Sequence, residues 1–447
     1  MKIRNFCLLL LAVLMPVLNS CKKETVDVTQ LLSTVPSSAA GVVVLNIEDM
    51  LEGMGCKIKD HVVTPSPELS QLIDQASTKE KQQILQMFDG EGGIEPKGAV
   101  VFYDANRVYL TFALYDVKKF CDFVEKHNGT PFSDGSNGVK VNGNVAVKGA
   151  QAWVNIGSNR NIDSDAIAAY ANLGNSQSFL VTPNGEKLLV EEDDIRGWAM
   201  INTFVNEMLS RSDRSMFTLG LGFLFEDAES VRFKVDFDKG EMESEAIVLN
   251  DKGKPAKYLL PTDKVDTGVL KTLGDSCDAM MAFTVNSKLI KKFDQILSAF
   301  GGSFFGNLNE MFKNVDGTMG FITSGNMDSM SGVITTKGEV SKELKDLISN
   351  QIAPVSQDGK YLRFAKGQVA GNMNVAESAE ELKGCCLGIV ADIAGLNSTG
   401  YDAKNVSGFK NIVLKFEPES GGLEIKLDIK TTDEKENSLI TFLRNSK

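Results

Sequence analysis

Histidine is nearly absent from this chain: among 447 residues only His61 and His127 occur. That scarcity removes most hydrolase triads, which need one histidine as general base between a nucleophile and an orienting acid. No Gly-x-Ser-x-Gly elbow is present to supply the nucleophile. No His-Glu-x-x-His and no paired Cys-x-x-Cys occurs, so the usual zinc arrangements are missing. The run Asp134-Gly135-Ser136-Asn137-Gly138 lacks the closing Gly-Lys-Ser/Thr of a phosphate loop and reads as a turn between strands. Basic residues are also short: 47 Lys and Arg stand against 59 Asp and Glu. That balance argues against nucleic acid and against electrostatic docking on anionic lipid. The sequence therefore assigns no catalytic residue, no cofactor and no metal ligand.

What is present begins at the amino end. Met1 to Asn5 is a short basic head, Phe6 to Leu18 is an almost unbroken apolar run, and Leu18-Asn19-Ser20 leads into Cys21. The run of about 13 residues is too short for a bilayer core, which needs roughly 20. The layout is that of a secretory signal, residues 1–20, whose cleavage leaves Cys21 as an acylated terminus. Cys21 is thus the lipidation residue and the membrane is its partner. Each buried methylene contributes about 0.8 kcal/mol, so two or more chains hold firmly. Lys22-Lys23-Glu24 lacks an aspartate directly after the cysteine. By resemblance to lipoprotein sorting rules that favours the outer membrane, without fixing the side. Residues 21–34 read as a tether. Loss of Lys2 and Arg4 leaves 45 basic against 59 acidic residues, a net charge of about −14.

The remaining five cysteines, Cys56, Cys121, Cys277, Cys385 and Cys386, sit mostly among small apolar residues and read as buried thiols. On a strand, adjacent Cys385 and Cys386 point to opposite faces, which disfavours a shared bridge or metal. The acidic groups Glu191-Glu192-Asp193-Asp194 and Asp163/Asp165 read as solvated loops and helix N-terminal charge. His127 reads as a solvated cap beside Asn128-Gly129, and His61 as exposed loop.

The body of the chain repeats an order of elements. Segment 39–46 matches 279–286, each an apolar strand ending in Asn and leading into an amphipathic stretch, Ile47–Met54 or Leu289–Phe300. A hairpin over Gly98–Leu114 precedes a helix at Val117–His127; strands at Thr318–Thr323 and Met330–Thr335 precede a helix at Val340–Ile352. Trp198–Ile201 leads into a helix at Thr203–Leu209, and Leu387–Val390 into one at Asp392–Leu396. Each copy closes on a two-strand hairpin with period-2 alternation: Val231–Phe237 with Glu243–Leu249, and Asn411–Phe416 with Leu423–Ile429. Such alternation marks antiparallel strands with one face buried. The expectation is an α+β fold of two tandem related domains, residues 35–250 and 272–447. Residues 251–271 link them, and additional helices lie within 67–88 of the first.

The opening Val35-Pro36-Ser37-Ser38-Ala39-Ala40-Gly41-Val42-Val43 after a lipoprotein signal, followed by two related α+β halves, resembles a group of uncharacterised lipoproteins of the Bacteroidota. The resemblance implies an envelope location and brings no catalytic residues. It suits a non-catalytic binding or scaffold module whose protein or small-molecule partner is unnamed. Two rivals remain. A carboxylate-dependent hydrolase of glycans needs no fixed spacing of its acids, and expects two carboxylates converging in one concave pocket. A carrier of apolar ligands would use the Phe- and Gly-rich segments 216–225 and 297–306, and expects a cavity near Phe223, Phe225 or Phe304.

Overall fold

The computed structural model describes residues 27–157, 162–203, 224–291, 294, 308–325, 328–397, 407–419 and 421–445. Its strands follow the expected sequence pattern. In chain order they are β1 (Gly41–Leu45), the ribbon β2 (Lys57–Lys59) and β3 (Val62–Thr64), and the hairpin β4 (Ile94–Asp104) and β5 (Arg107–Leu114). Then come β6 (Ser133–Asp134), β7 (Lys140–Asn142), β8 (Val145–Lys148), β9 (Gln151–Asn155), β10 (Ile195–Met200) and the hairpin β11 (Ser230–Asp238) and β12 (Glu241–Leu249). The second set is β13 (Ser276–Cys277), β14 (Ala279–Val285), β15 (Val315–Thr323), β16 (Met330–Thr336), β17 (Val355–Asp358) and β18 (Tyr361–Lys366). It ends with β19 (Met373–Asn374), β20 (Leu387–Asp392), β21 (Phe409–Glu419) and β22 (Gly422–Thr431).

Eighteen of these strands form one antiparallel sheet. Its spatial order is β6-β7-β8-β9-β5-β4-β1-β10-β11-β12-β22-β21-β20-β14-β15-β16-β18-β17. The halves join where β12 lies against β22, with Glu245 opposite Lys426. Outward from that seam the order is β12-β11-β10-β1-β4-β5-β9-β8 on one side and β22-β21-β20-β14-β15-β16-β18-β17 on the other. The first closing hairpin turns on Lys239-Gly240, with Gly240 at φ +77° where glycine is unstrained, and the second pairs Glu419 with Gly422 at its end. Together with packed helices this is an α+β fold of mostly antiparallel strands.

Alternation along each strand feeds two layers. Val42 and Val44 of β1 enter one core with Leu31, Phe102 and Trp153, while Leu45 enters the opposite core with Met50, Leu51 and Phe88. In the second half Met280 and Ala282 of β14 face one core and Val285 the other. The row that crosses the seam differs by face. On one side it runs Val43, Gly197, Phe233, Ala246, Ile425, Phe416, Leu387 and Phe283; on the other it runs Val44, Arg196, Lys234, Glu245, Lys426, Lys415, Gly388 and Ala282. One face of the same strands is apolar and the other is a ladder of charge.

Helices appear where apolar stripes and caps require them. Ser77 and Glu80 form a reciprocal capping box at Thr78–Phe88. The helix Val117–Asn128 ends on Gly129 in the left-handed region. The expected helices near Thr203–Leu209 and Leu289–Phe300 lie mostly outside the described residues. Two boundaries shift. The expected tether, 21–34, is packed from Val28 onward: Val28–Ser33 is helical, with Leu31 and Leu32 wholly buried and Asp27 capping its first turn. The expected linker, 251–271, is packed as well. Pro255 and Tyr258 make strand-like bridges to Leu249 and Phe225. Val265, Val269 and Leu270 belong to the core of the second half. Isolated apolar residues in a polar stretch gave no periodicity to reveal these contacts. Among the described residues, no helix is long and apolar enough to cross a membrane.

Candidate functional site

Cys21 lies outside the described residues, so its surroundings are set by reach. Asp27 accepts a hydrogen bond from Gln30 N at 2.8 Å and fixes the start of the body. From Cys21 to Asp27 the chain advances six residues, which span at most about 20 Å fully extended. The backbone of Cys21 therefore stays within about 20 Å of the start of the helix Val28–Ser33.

The acidic run 191–194 ends where β10 begins, and its side chains part in two directions. Glu191 pairs with Arg232 at 3.4 Å and Asp193 with Lys234 at 3.4 Å, both cations on β11. Asp194 turns the other way. Its Oδ2 accepts from Phe237 N at 2.8 Å, and Asp236 Oδ1 accepts from Asp194 N at 3.0 Å. The two aspartates complete the β10–β11 ladder at its end. With Asp49, Glu192, Asp238 and Lys239 they line a cleft of about 530 Å³. Burial pushes the Asp194 carboxyl up from 3.8 to about 6, and the carboxylates of Asp236, Asp49 and Asp238 add to it. Burial also raises Asp236, helped by Asp193. The reading of this run as plain solvated loop is thereby corrected: sequence distance hid the strand that collects Asp194 and Asp236. The other acidic pair fits its reading. Asp163 caps the helix Ser164–Tyr170 through Asp165 N and Ala166 N and pairs with Arg107 at 2.9 Å.

His61 is buried, not exposed as expected. It sits at the tip of the β2–β3 ribbon with φ +63°, stacks on Tyr115 at 4.9 Å, and places Nδ1 3.4 Å from Glu95 Oε2. His61 is 8% and Glu95 3% exposed. Burial pulls the imidazole down to about 4 and pushes the carboxyl up, so both are driven toward neutrality. Neither lines the acidic cleft; the stack on Tyr115 holds the ribbon tip. His127 does lie at a helix end, but its ring is held: Nδ1 meets Gln83 Nε2 at 3.2 Å and Nε2 meets Gln86 Oε1 at 3.1 Å. Both glutamines lie on Thr78–Phe88, so His127 docks that helix instead of standing in solvent.

The five cysteines are thiols, four of them buried and Cys121 half-buried. Cys385 and Cys386 enter different cores, as opposite faces require. Burial pushes Cys277 up to about 11 and both Cys385 and Cys386 up to about 12, which leaves them inert as nucleophiles at neutral pH. Phe225 is a core residue at 3% exposure, while Phe223 and Phe304 lie outside the described residues. Among the described residues, Glu417, Glu419 and Glu424 converge closely enough to hold a cation. Lys426 already serves that need, at 3.0 Å from Glu417 and 3.2 Å from Glu424.

No family model matches the chain, and no curated protein matches it. Solved structures show a distant likeness, among them crystal forms III, I and IV of TP0453. Form III has a TM-score of 0.32 and 10% identity, covering 78% of this chain and 96% of the other. Form I has a TM-score of 0.31 and 11% identity, covering 80% and 97%. Form IV has a TM-score of 0.32 and 12% identity, covering 49% and 79%. A likeness of this degree says nothing of function.

Proposed function

We infer that this protein is an envelope lipoprotein, held at the outer membrane by acyl chains on Cys21, that works as a non-catalytic binding or scaffold module. The observation that carries the reading is the amino end itself: basic head, short apolar run, Ser20-Cys21, then a packed helix only seven positions on. The engagement of both histidines and the burial of most thiols in packing supports binding over catalysis. The matching strand order on the two sides of the β12–β22 seam supports descent from one duplicated unit, in keeping with the resemblance to two-halved lipoproteins of the Bacteroidota. Substituting Cys21→Ser tests the anchor. The wild-type chain should fractionate with membranes and the variant should be released or remain unprocessed. Equal membrane association of both chains would refute it.

A second reading has its own observation. Asp194 and Asp236 lie in one cleft, and Asp194 titrates near the pH at which a general acid is useful. This supports a carboxylate-dependent hydrolase acting on glycans. Against it, one oxygen of each aspartate already accepts a backbone amide. Turnover of a glycan panel by the wild type, abolished in both Asp194→Asn and Asp236→Asn, would establish it; no turnover by the wild type would end it.

A further inference from the structure

Two stretches of this chain carry no charged residue, 28–47 and 166–185, although charged residues make up 24% of the whole. Far apart in sequence, they are joined in the fold. Phe179 N donates to Val35 O and Ser37 N to Gln177 O, each at 2.8 Å, and Pro36 bridges Ser178. Ser178 Oγ donates to Leu32 O at 3.1 Å. The side chains they expose are small and uncharged, among them Thr29, Gln30, Ser37, Ser176 and Gln177. Val181 is 49% exposed, and the helix Pro183–Val190 that follows ends with Val190 at 73%. These are two of the four large apolar side chains exposed among the described residues, and Val190 is the most exposed of them. Charge returns at the border, at Asp27, Glu48, Asp165, Glu186 and Lys187, and at Glu192 beyond Val190; half-buried Asp104 accepts from Ser38 Oγ and Tyr170 OH.

This surface belongs to the element the anchor leads into. We propose that it is the face this protein lays against the lipid surface holding its acyl chains, with Val181 and Val190 entering the headgroup layer. The inference rests on the Cys21 reading. Its physical basis is separate. A tether of at most about 20 Å forces some face of the body against the membrane. A charged face brought there loses hydration. In a body of net charge near −14, an acidic face is also repelled by anionic lipid within the Debye length of about 8–10 Å. The uncharged surface avoids both penalties, and valines at its edge gain by leaving water.

The test uses the acylated full chain in phosphatidylethanolamine–phosphatidylglycerol vesicles. The photoreactive residue p-benzoylphenylalanine replaces Val181, Val190 or, for comparison, Ile352, an exposed apolar position on the second half. After illumination, mass spectrometry reads lipid adducts, and co-sedimentation reads anchoring. The expected result is at least tenfold more lipid adduct from positions 181 and 190 than from 352. Co-sedimentation without that excess overturns this inference and leaves the anchor standing. Adducts at 181 or 190 to a second protein molecule also overturn it, in favour of a protein partner. Loss of co-sedimentation refutes the anchor and this inference with it.

Discussion

The two halves share a strand order but not a surface, and one register position shows how they part. Counting out from the seam, Lys234 of β11 stands where Lys415 of β21 stands, and their neighbours are Arg196 and Gly388. In the first half Arg196, 7% exposed, reaches across to donate to the carbonyls of Leu188 and Asp193. It thereby holds out the loop that carries Val190, Glu192 and Asp194. In the second half Gly388 leaves room for the Leu382 side chain to close down, and a Cβ there would meet Leu382 Cδ2 at 2.6 Å and Leu414 O at 3.2 Å. One register position props a loop open in one half and seals the core in the other. The uncharged surface belongs to the propped half, and so does the acidic lining of the cleft, to which the second half adds Asn437. The lesson is that a shared strand order leaves the surface to be set by what each half places beside its strands.

Four substitutions break or sharpen that contrast. Arg196→Leu should have the largest effect. It strands two buried carbonyls and should cost about 2–4 kcal/mol in chemical denaturation, with hydrogen exchange rising first over 183–194. Gly388→Ala should cost about 1–3 kcal/mol by overpacking, with no change in exchange over that loop. If the two variants loosened the same segments, the halves would not differ in the way described. Lys426→Ala removes the cation shared by Glu417, Glu424 and, at 3.9 Å, Glu245. It should cost about 1–2 kcal/mol, since these groups are partly shielded from water. It should do so in a single unfolding transition, because the seam is continuous sheet. Two separated transitions in the wild type would show independent halves.

The smallest effect is at Asp194, and its sign is opposite. Its folded carboxyl titrates near 6, above the ordinary 3.8, so the native state binds the extra proton. Stability from this group is therefore fullest below about pH 4 and is lost as pH rises through about 6. Asp194→Asn keeps an oxygen to accept from Phe237 N and loses the charge. It should stabilise by about 1 kcal/mol at pH 8 and by nothing at pH 4. A destabilised variant at pH 8 would mean the charge itself is needed.

The sequence made the strands legible because antiparallel strands alternate: Val231, Phe233, Val235 and Phe237 announce their apolar, half-buried face one by one. The hairpins were legible through their turns. What the sequence could not show was which strand lies next to which. The β12–β22 seam joins distant residues such as Glu245 and Lys426, and neither strand carries a mark of its partner. The same blindness hid the cleft, since Asp194 meets Asp236 only after β10 pairs with β11. His61 misled because a loop beside proline ordinarily faces water, and the ring of Tyr115 that covers it comes from beyond β5. The packed helix Val28–Ser33 is too short for its pattern to stand out, and only Leu31-Leu32 hinted at it.

The uncharged surface starts on the helix Val28–Ser33, into which Cys21 leads, so the account stands on that residue. The direct measurement is the mass of the mature amino-terminal peptide, taken from protein isolated from its own cells. A peptide beginning at Cys21 and heavier by two or three fatty acyl groups is the result expected. A peptide that retains Met1, or begins at Cys21 without added acyl mass, would contradict it.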